Sequence, residues 1–305
     1  MRVFLTGASG FVGSNLSWVF AERHGAEVIA PGHDCIDITD PVMVRRAICA
    51  TQPDAVVHAA IWNSPAGLLA DRRRAWSAYV DATRNLVDAT NAIDAQIVLI
   101  STDWVFDGTQ GPASESEPPN PINAYGFLKA SSELVVRERA EQGTVARIAA
   151  VQGAHRAREA PPRSQDAGFG YLVASLVGAL QWGERFTVWD GPGLNVRATP
   201  TLATEAAELV WRALEREVTG VLHCCGGEHV DRVGLARRAI AAFDLDADLL
   251  DVKPPPGHVL AGGAVPGDTR LDGWATAAKL GACLTNLDTM LERLRRELDP
   301  SRSLA

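Results

Sequence analysis

The stretch "LTGASGFVGSNL", residues 5–16, decides how the rest of the chain is to be read. "RVFLTG" (2–7) before it predicts a strand, and residues 11–24 predict a helix. Gly7, Gly10 and Gly13 lie between them in Gly-x-x-Gly-x-x-Gly spacing. Gly7 permits a tight turn, Gly10 lets backbone approach a pyrophosphate, and Gly13 lets helix and strand pack closely. The helix start adds free N–H groups and the positive end of its dipole. Three glycines alone are a weak signal. Their place after a first strand and at the opening of a helix makes them a dinucleotide fingerprint. Ser9, Phe11 and Val12 share this loop and are expected to touch the cofactor with the three glycines.

The alternation continues. "AEVIA" (26–30), "DAVVHAA" (54–60), "QIVLIS" (96–101) and "TVARIAAVQG" (144–153) predict strands; 41–51, 71–92 and 122–142 predict helices, the first capped by Asp40. Continuous apolar strands separated by helices imply a parallel sheet covered on both faces. Right-handed crossovers make it an α/β, Rossmann-type doubly wound fold. After Gly153 the pattern weakens: a polar loop at 154–167, a helix at 169–182, a strand at 185–191, a helix at 203–217, a strand at 220–226, a helix at 231–243, a Pro- and Gly-rich loop at 251–268 and an amphipathic helix at 287–298. The expected division is an NAD(P)-binding domain at 1–153 and a smaller substrate-binding lobe at 154–305, with 203–226 returning to the first sheet.

Composition narrows the function classes. The 305 residues are 47% hydrophobic and 22% charged, enough for a large core and two lobes. A net charge of −8 with no basic stripe argues against a nucleic-acid surface. The densest basic run, Arg72-Arg73-Arg74, reads first as a solvated helix face and otherwise as a phosphate contact. Cys35, Cys49, Cys224, Cys225 and Cys283 are odd in number and lack C-x-x-C spacing. They point to a reducing compartment without structural disulfides or zinc. No metal-ligand spacing occurs. With no signal-peptide pattern at the start and no bilayer-length apolar run, a soluble, cytoplasmic protein is expected.

"PINAYGFLKASSE" (121–133) places Tyr125 and Lys129 on one helix face. A phenol with a pKa near ~10 becomes a useful acid–base group when an ammonium and an oxidised nicotinamide stabilise its phenolate. The strand at 96–101 runs into Ser101 and Thr102 at the carboxyl edge of the sheet, where ligands bind. Thr102 is expected to hold a substrate carbonyl beside Tyr125, and Ser101 to support the turn. At the second strand's end, "VIAPGHD" (28–34) has Pro31 and Gly32 where an acid would read the ribose of NAD. His33 then faces a 2′-phosphate or stands by, and Asp34 restores an acid if the register shifts. Asp37 and Ile38 follow, Asp37 either meeting the adenine or capping. The expected cofactor is NADP or NAD, with a slight lean to NADPH.

The glycine loop, "IDITDP" (36–41), "VVHAA" (56–60), "STDWVFDG" (101–108), "NPINAYGFLKASSE" (120–133), "GVLHCCGGE" (220–228) and "DTRLDGWATAAKLG" (268–281) together resemble the extended short-chain dehydrogenase/reductases. Among these the chain is most similar to the dTDP-4-dehydrorhamnose reductase-like nucleotide-sugar 4-ketoreductases. The resemblance implies a Thr102–Tyr125–Lys129 triad and cofactor contacts at Ala59 and Ala60. It implies NAD(P)H-dependent reduction of a 4-keto-6-deoxy sugar on a nucleoside diphosphate, hydride coming from nicotinamide and the proton from Tyr125. Lys129 would also hold the nicotinamide ribose. "RIAAVQG" (147–153) replaces the family's Arg-Thr-Ser-Trp-Val-Tyr-Gly-like run, so Ala150 stands for an aromatic and Gln152 for a tyrosine. Trp104 stands for the tyrosine of the Ser-Thr-Asp-Tyr pattern, and Asp81 at or near a structural Asn. Expected substrate contacts are Trp62, Asp103, Trp104, Val105, Ala150, Gln152 and Arg197. Arg197 pairs with a diphosphate or else forms a surface ion pair. Trp62, Trp104 and Trp189 stack on sugar or base, or fill core; His223 reads as a satisfied buried histidine. The same frame supports epimerases and dehydratases, with Asp103 as an added acid–base group. A non-catalytic NAD(P)-binding regulatory subunit is the alternative from another class. The helices at 71–92 and 122–142 suit a four-helix homodimer.

Overall fold

The computed structural model describes residues 1–158, 165–260 and 263–298. Strands β1 (Arg2–Thr6), β2 (Glu27–Ile29), β3 (Ala55–His58), β4 (Gln96–Thr102) and β5 (Gly143–Ile148) join the strand Gly220–His223 in one sheet. The order is Gly220–His223, β5, β4, β3, β1, β2, and every pairing is parallel. The chain leaves β1 for β2 on one side and returns to β3 on the other. That reversal opens a crevice at the carboxyl ends of β1 and β3, where the glycine loop sits.

The unbroken apolar runs are explained by the two faces. Val3, Leu5, Val57, Val98 and Ile100 point to one side and meet Leu16, Phe20, Val210 and Leu214 from the helices flanking it. Phe4, Val56, Ile97 and Leu99 point to the other and meet Val44, Ile48, Leu86 and Val136. Each fully buried side chain of this size contributes roughly 1.5–3 kcal/mol. The helix Ala203–Glu215 and the strand after it pack on and extend this sheet. A separate core forms where the helices Leu172–Gln181, Arg232–Phe243 and Leu287–Glu297 meet around Leu176, Val188, Leu235, Ile240 and Leu291. Asp40, Asn123, Asp231 and Asn286 each cap a helix by accepting backbone N–H bonds.

Several elements differ from expectation. The helix predicted at 71–92 is Arg72–Trp76, a wide π turn at Ser77–Asp81 and Ala82–Asn91, preceded by a short helix Pro65–Ala70. The predicted loop at 251–268 opens inside a strand, Leu250–Lys253, paired in parallel with Phe186–Trp189. Pro254, Pro255 and Pro256 mask that strand in the sequence. Two-residue ladders also join Val151–Gln152 to Thr201–Leu202, and Arg197–Ala198 to Val230–Asp231. Residues 159–164 and 261–262, which fall in loops expected from the sequence, lie outside the described residues. Among the described residues no helix is long and apolar enough to cross a membrane.

Candidate active site

Gly7 has φ +79°, and a Cβ there would lie 2.6 Å from Ala60 N and 2.7 Å from the Ala59 carbonyl carbon. A Cβ on Gly13 would lie 2.1 Å from Gly7 O. Both glycines are therefore dictated by packing. Gly10 differs: its added Cβ would meet only Gly7 O, at 3.2 Å. Gly10 begins the helix Phe11–Trp18 with no side-chain cap, so the helix opens on an uncovered turn of N–H groups. That cradle fits a pyrophosphate. Thr6 Oγ1 takes the Ala60 N–H at 3.4 Å and bonds His58 Nδ1 at 2.7 Å, tying the tips of β1 and β3 together. Burial, helped by the charge of Lys129, pushes the His58 pKa down to about 3.

The strand β4 ends at Thr102, which accepts the Trp104 N–H at 3.2 Å and so turns the chain into Asp103–Val105. Asn123 caps the helix Ala124–Arg139 by accepting the Gly126 N–H at 2.8 Å. A Cβ on Gly126 would lie 2.1 Å from Trp104 O, so this glycine lets the helix close on the turn. Tyr125 is half-buried between Trp104 and Tyr79, whose rings meet it edge-on at 6.1 and 6.3 Å. Burial pushes the Tyr125 pKa up to about 12, the neighbouring Thr102 hydroxyl opposes this, and the charge of Asp103 adds to it. Lys129 donates to Ile100 O at 2.8 Å, and burial lowers its pKa to about 8 against the pull of Glu133.

Beneath this group lies an ion pair. Glu133 and Arg147 are each 1% exposed, with Arg147 Nη2 2.7 Å from Glu133 Oε2. Ser101 donates to Glu133 Oε1 at 2.5 Å. The guanidinium also lies over the Phe106 ring at 5.0 Å and 3.4 Å from His223 Nε2. Helix, β4, β5 and the strand Gly220–His223 are thus fastened under the Tyr125–Lys129 turn. The adjacency of Ser101 to Thr102 hinted at support for the turn; the ion pair itself had no sequence signal.

The other expected contacts divide. Ser9 and Gly10 are exposed at the glycine loop; Phe11 stacks obliquely on Tyr171 at 5.1 Å, and Val12 follows it. Ala59 and Ala60 lie at the β3 tip beside Gly7. His33 is exposed in the turn after β2. Asp37 accepts from the Thr39 N–H and hydroxyl, at 2.9 and 2.7 Å, which lowers its pKa and makes it a turn cap. The Ile38 carbonyl is bound by Asn85 at 3.1 Å. Trp62 is half-buried with the Arg74 guanidinium 4.4 Å over its ring. Ala150 has φ +43° and packs against the separate helical core. Val105 is fully buried in a small core with Phe106 and Ala149, so it presents no side chain to substrate, contrary to expectation. Gln152 is likewise spent internally, donating to Ala150 O and Phe169 O and accepting the Val173 N–H. Arg197 is exposed in an outer groove of ≈ 480 Å³ with Asp190, Asp231 and Arg237. Its backbone carbonyl nevertheless holds Thr269, whose hydroxyl donates to Asp103. Thr269 and Asn195, which bonds it, are the residues sequence reasoning missed.

The whole chain has known counterparts. It is 29% identical over 280 residues to methionine adenosyltransferase 2 subunit beta of Bos taurus, covering 89% of this chain and 80% of that protein. It is 29% identical over 264 residues to dTDP-4-keto-6-deoxy-D-glucose reductase of Streptomyces niveus, covering 86% and 85%. The crystal structure of dTDP-4-dehydrorhamnose reductase from Bacillus anthracis in complex with NADP superposes with a TM-score of 0.82 at 20% identity, over 97% of this chain and 99% of that one. The family model described as RmlD substrate binding domain matches residues 1–297, and the chain belongs to that family.

Proposed function

We propose that the protein is an NAD(P)H-dependent reductase of a keto group on a nucleotide-linked deoxy sugar. The observation that carries this is the meeting of the Tyr125 phenol with the Thr102 hydroxyl beside it and Lys129 one helical turn on. Gly7, Gly10 and Gly13 would hold the dinucleotide, which supplies hydride when bound. As hydride reaches the carbonyl carbon, negative charge builds on oxygen, and the Tyr125 O–H bond breaks to give that oxygen its proton. A phenol that stays protonated at neutral pH suits this direction. Lys129 steadies the phenolate left behind. The substrate class rests on the named reductase relative and on Trp104, which edges the phenol and offers a ring for a sugar to stack on. The separate helical core and its ladders form the substrate lobe.

Tyr125→Phe tests the reading. It keeps the ring and removes the acid, so turnover of a 4-keto-6-deoxy nucleotide sugar should fall about 10²–10⁴-fold. Thermal stabilisation by NADPH should remain. Retention of more than a tenth of the activity refutes the assignment.

A second reading, a dinucleotide-binding subunit of a larger assembly, is favoured by the similarity to a protein named as a subunit. A parent protein that binds dinucleotide and reduces no keto-sugar in a broad panel would put it first. We also infer a homodimer. Trp76, Phe127 and Leu134 are 43%, 55% and 56% exposed on adjoining helices, and Phe127 and Leu134 are seven apart on one face. Phe127→Glu should convert a dimer to a monomer by light scattering; a parent that is monomeric at micromolar concentration overturns the inference. The five free thiols suit a reducing, cytoplasmic setting.

A further inference from the structure

Asp103 is 4% exposed and adjoins the catalytic threonine. Its two carboxyl oxygens are each held by a hydroxyl. Thr102 donates to Oδ1 at 3.0 Å, and Thr269 donates to Oδ2. Thr269 is fixed in turn by Asn195, whose Nδ2 donates to its Oγ1 at 2.7 Å, and by its own N–H, which bonds Arg197 O at 2.9 Å. Among the described residues, Asn195 Oδ1 is buried without a partner. Thr269 and Asn195 come from the far half of the chain, so this network ties the C-terminal half to the tip of β4.

A hydroxyl has one proton to give and two lone pairs to accept with. Thr102 Oγ1 already accepts the Trp104 N–H. While Asp103 is ionised, the Thr102 proton is committed to it, and only a lone pair faces the cleft. When Asp103 is neutral, its own proton bonds Thr102 Oγ1, both lone pairs are filled, and the Thr102 proton is free to point outward. The Oδ2 bond from Thr269 serves both forms. A substrate carbonyl needs a donor, whereas a product alcohol is content with an acceptor.

We propose that Asp103 and Thr269 are positioning residues that set whether Thr102 donates or accepts toward the substrate, so that carbonyl reduction uses the form with neutral Asp103. This rests on the reductase reading. The groups around Asp103 allow the change of charge. Among the described residues no cation pairs with it; the Tyr125 phenol and the Cys225 thiol face it, and both feel its charge. Burial raises its pKa to about 6, with the bonds from Thr269, Thr102 and backbone N–H groups opposing.

The test is the pH profile of kcat/KM for keto-sugar reduction, together with a carboxyl ¹³C NMR titration in which Asp103→Asn identifies the signal. The parent should lose reduction with rising pH, about tenfold per pH unit above the Asp103 pKa. Asp103→Asn keeps the shape, with its amide donating to Thr102 and its oxygen accepting from Thr269, so the activity it retains should lack that limb. Thr269→Val removes a donor to the carboxylate, and limb and titration should both move up by about one pH unit. Thr269→Ser should restore them. An alkaline limb unchanged in Asp103→Asn, or an Asp103 titration unmoved in Thr269→Val, overturns the proposal. If the parent reduces no keto-sugar, the reductase reading fails by itself. The network is then judged on NMR alone: Tyr125 must titrate lower in Asp103→Asn and Asp103 higher in Thr269→Val, and either shift missing overturns it.

Discussion

Glu133→Gln should be among the most damaging conservative changes in the molecule. Glu133 takes bonds from Ser101 Oγ and from Arg147 Nε and Nη2, and both ionic partners are sealed from water. At an effective dielectric constant of ~20, opposite charges 4 Å apart attract by about 4 kcal/mol. The amide keeps the volume and part of the hydrogen bonding but leaves a buried guanidinium without a counter-charge. Breaking such a pair from one side costs about 3–5 kcal/mol. With roughly 2.1 cal/mol/K of unfolding entropy per residue, each kcal/mol lowers the Tm of a 305-residue chain by about 1.5 °C, so a fall of about 5–8 °C is expected. Urea unfolding followed by far-UV circular dichroism gives the free energy directly. The double variant Glu133→Leu with Arg147→Met removes both charges and should recover most of the loss, because the pair's net worth is far smaller than the cost of orphaning one member. Ser101 loses its acceptor in either case, and kcat should fall with Thr102 and Lys129 less firmly held. A Glu133→Gln protein within 1 kcal/mol of the parent, or a double variant no more stable than the single, refutes the reasoning.

Two other outcomes follow from the crevice. Gly13→Ala puts a Cβ 2.1 Å from Gly7 O, so helix and strand must separate; NADPH should no longer raise Tm, whereas an unchanged shift would mean the dinucleotide binds elsewhere. His58 stays neutral in the folded protein down to about pH 3, while the unfolded chain takes its proton near the ordinary value of 6.5. Stability from this site is therefore complete above pH ~6.5 and is lost by several kcal/mol as pH falls toward 3. His58→Gln should flatten the acid side of the urea-midpoint curve, and parallel curves for the two proteins would contradict it.

What was legible in the sequence was what short stretches determine. Gly13 is required by its contact with Gly7 within a single strand–turn–helix unit, and Gly7 by its own φ of +79° at the turn, so their spacing carried the fold. Tyr125 and Lys129 share a face because a helix places them so, wherever that helix docks. The apolar runs at 55–57 and 97–100 needed only a sheet covered on both sides. The remainder depends on pieces distant in sequence that meet only after folding. Val105 and Gln152 read as pocket residues by position in a motif, yet a core that includes Ala149, Cys225 and Leu271 buries one, and the Phe169 and Val173 backbone consumes the other. The strand Leu250–Lys253 is short and followed by three prolines, so its partner, not its composition, defines it. Asp103 shows the same limit most sharply. Beside Thr102 and Trp104 it reads as a candidate acid or a substrate contact. Thr269, 166 positions away, turns it into a buried group with both oxygens occupied. A carboxyl so enclosed reaches the cleft through Thr102, and its effect on the chemistry passes through the direction of one hydroxyl proton.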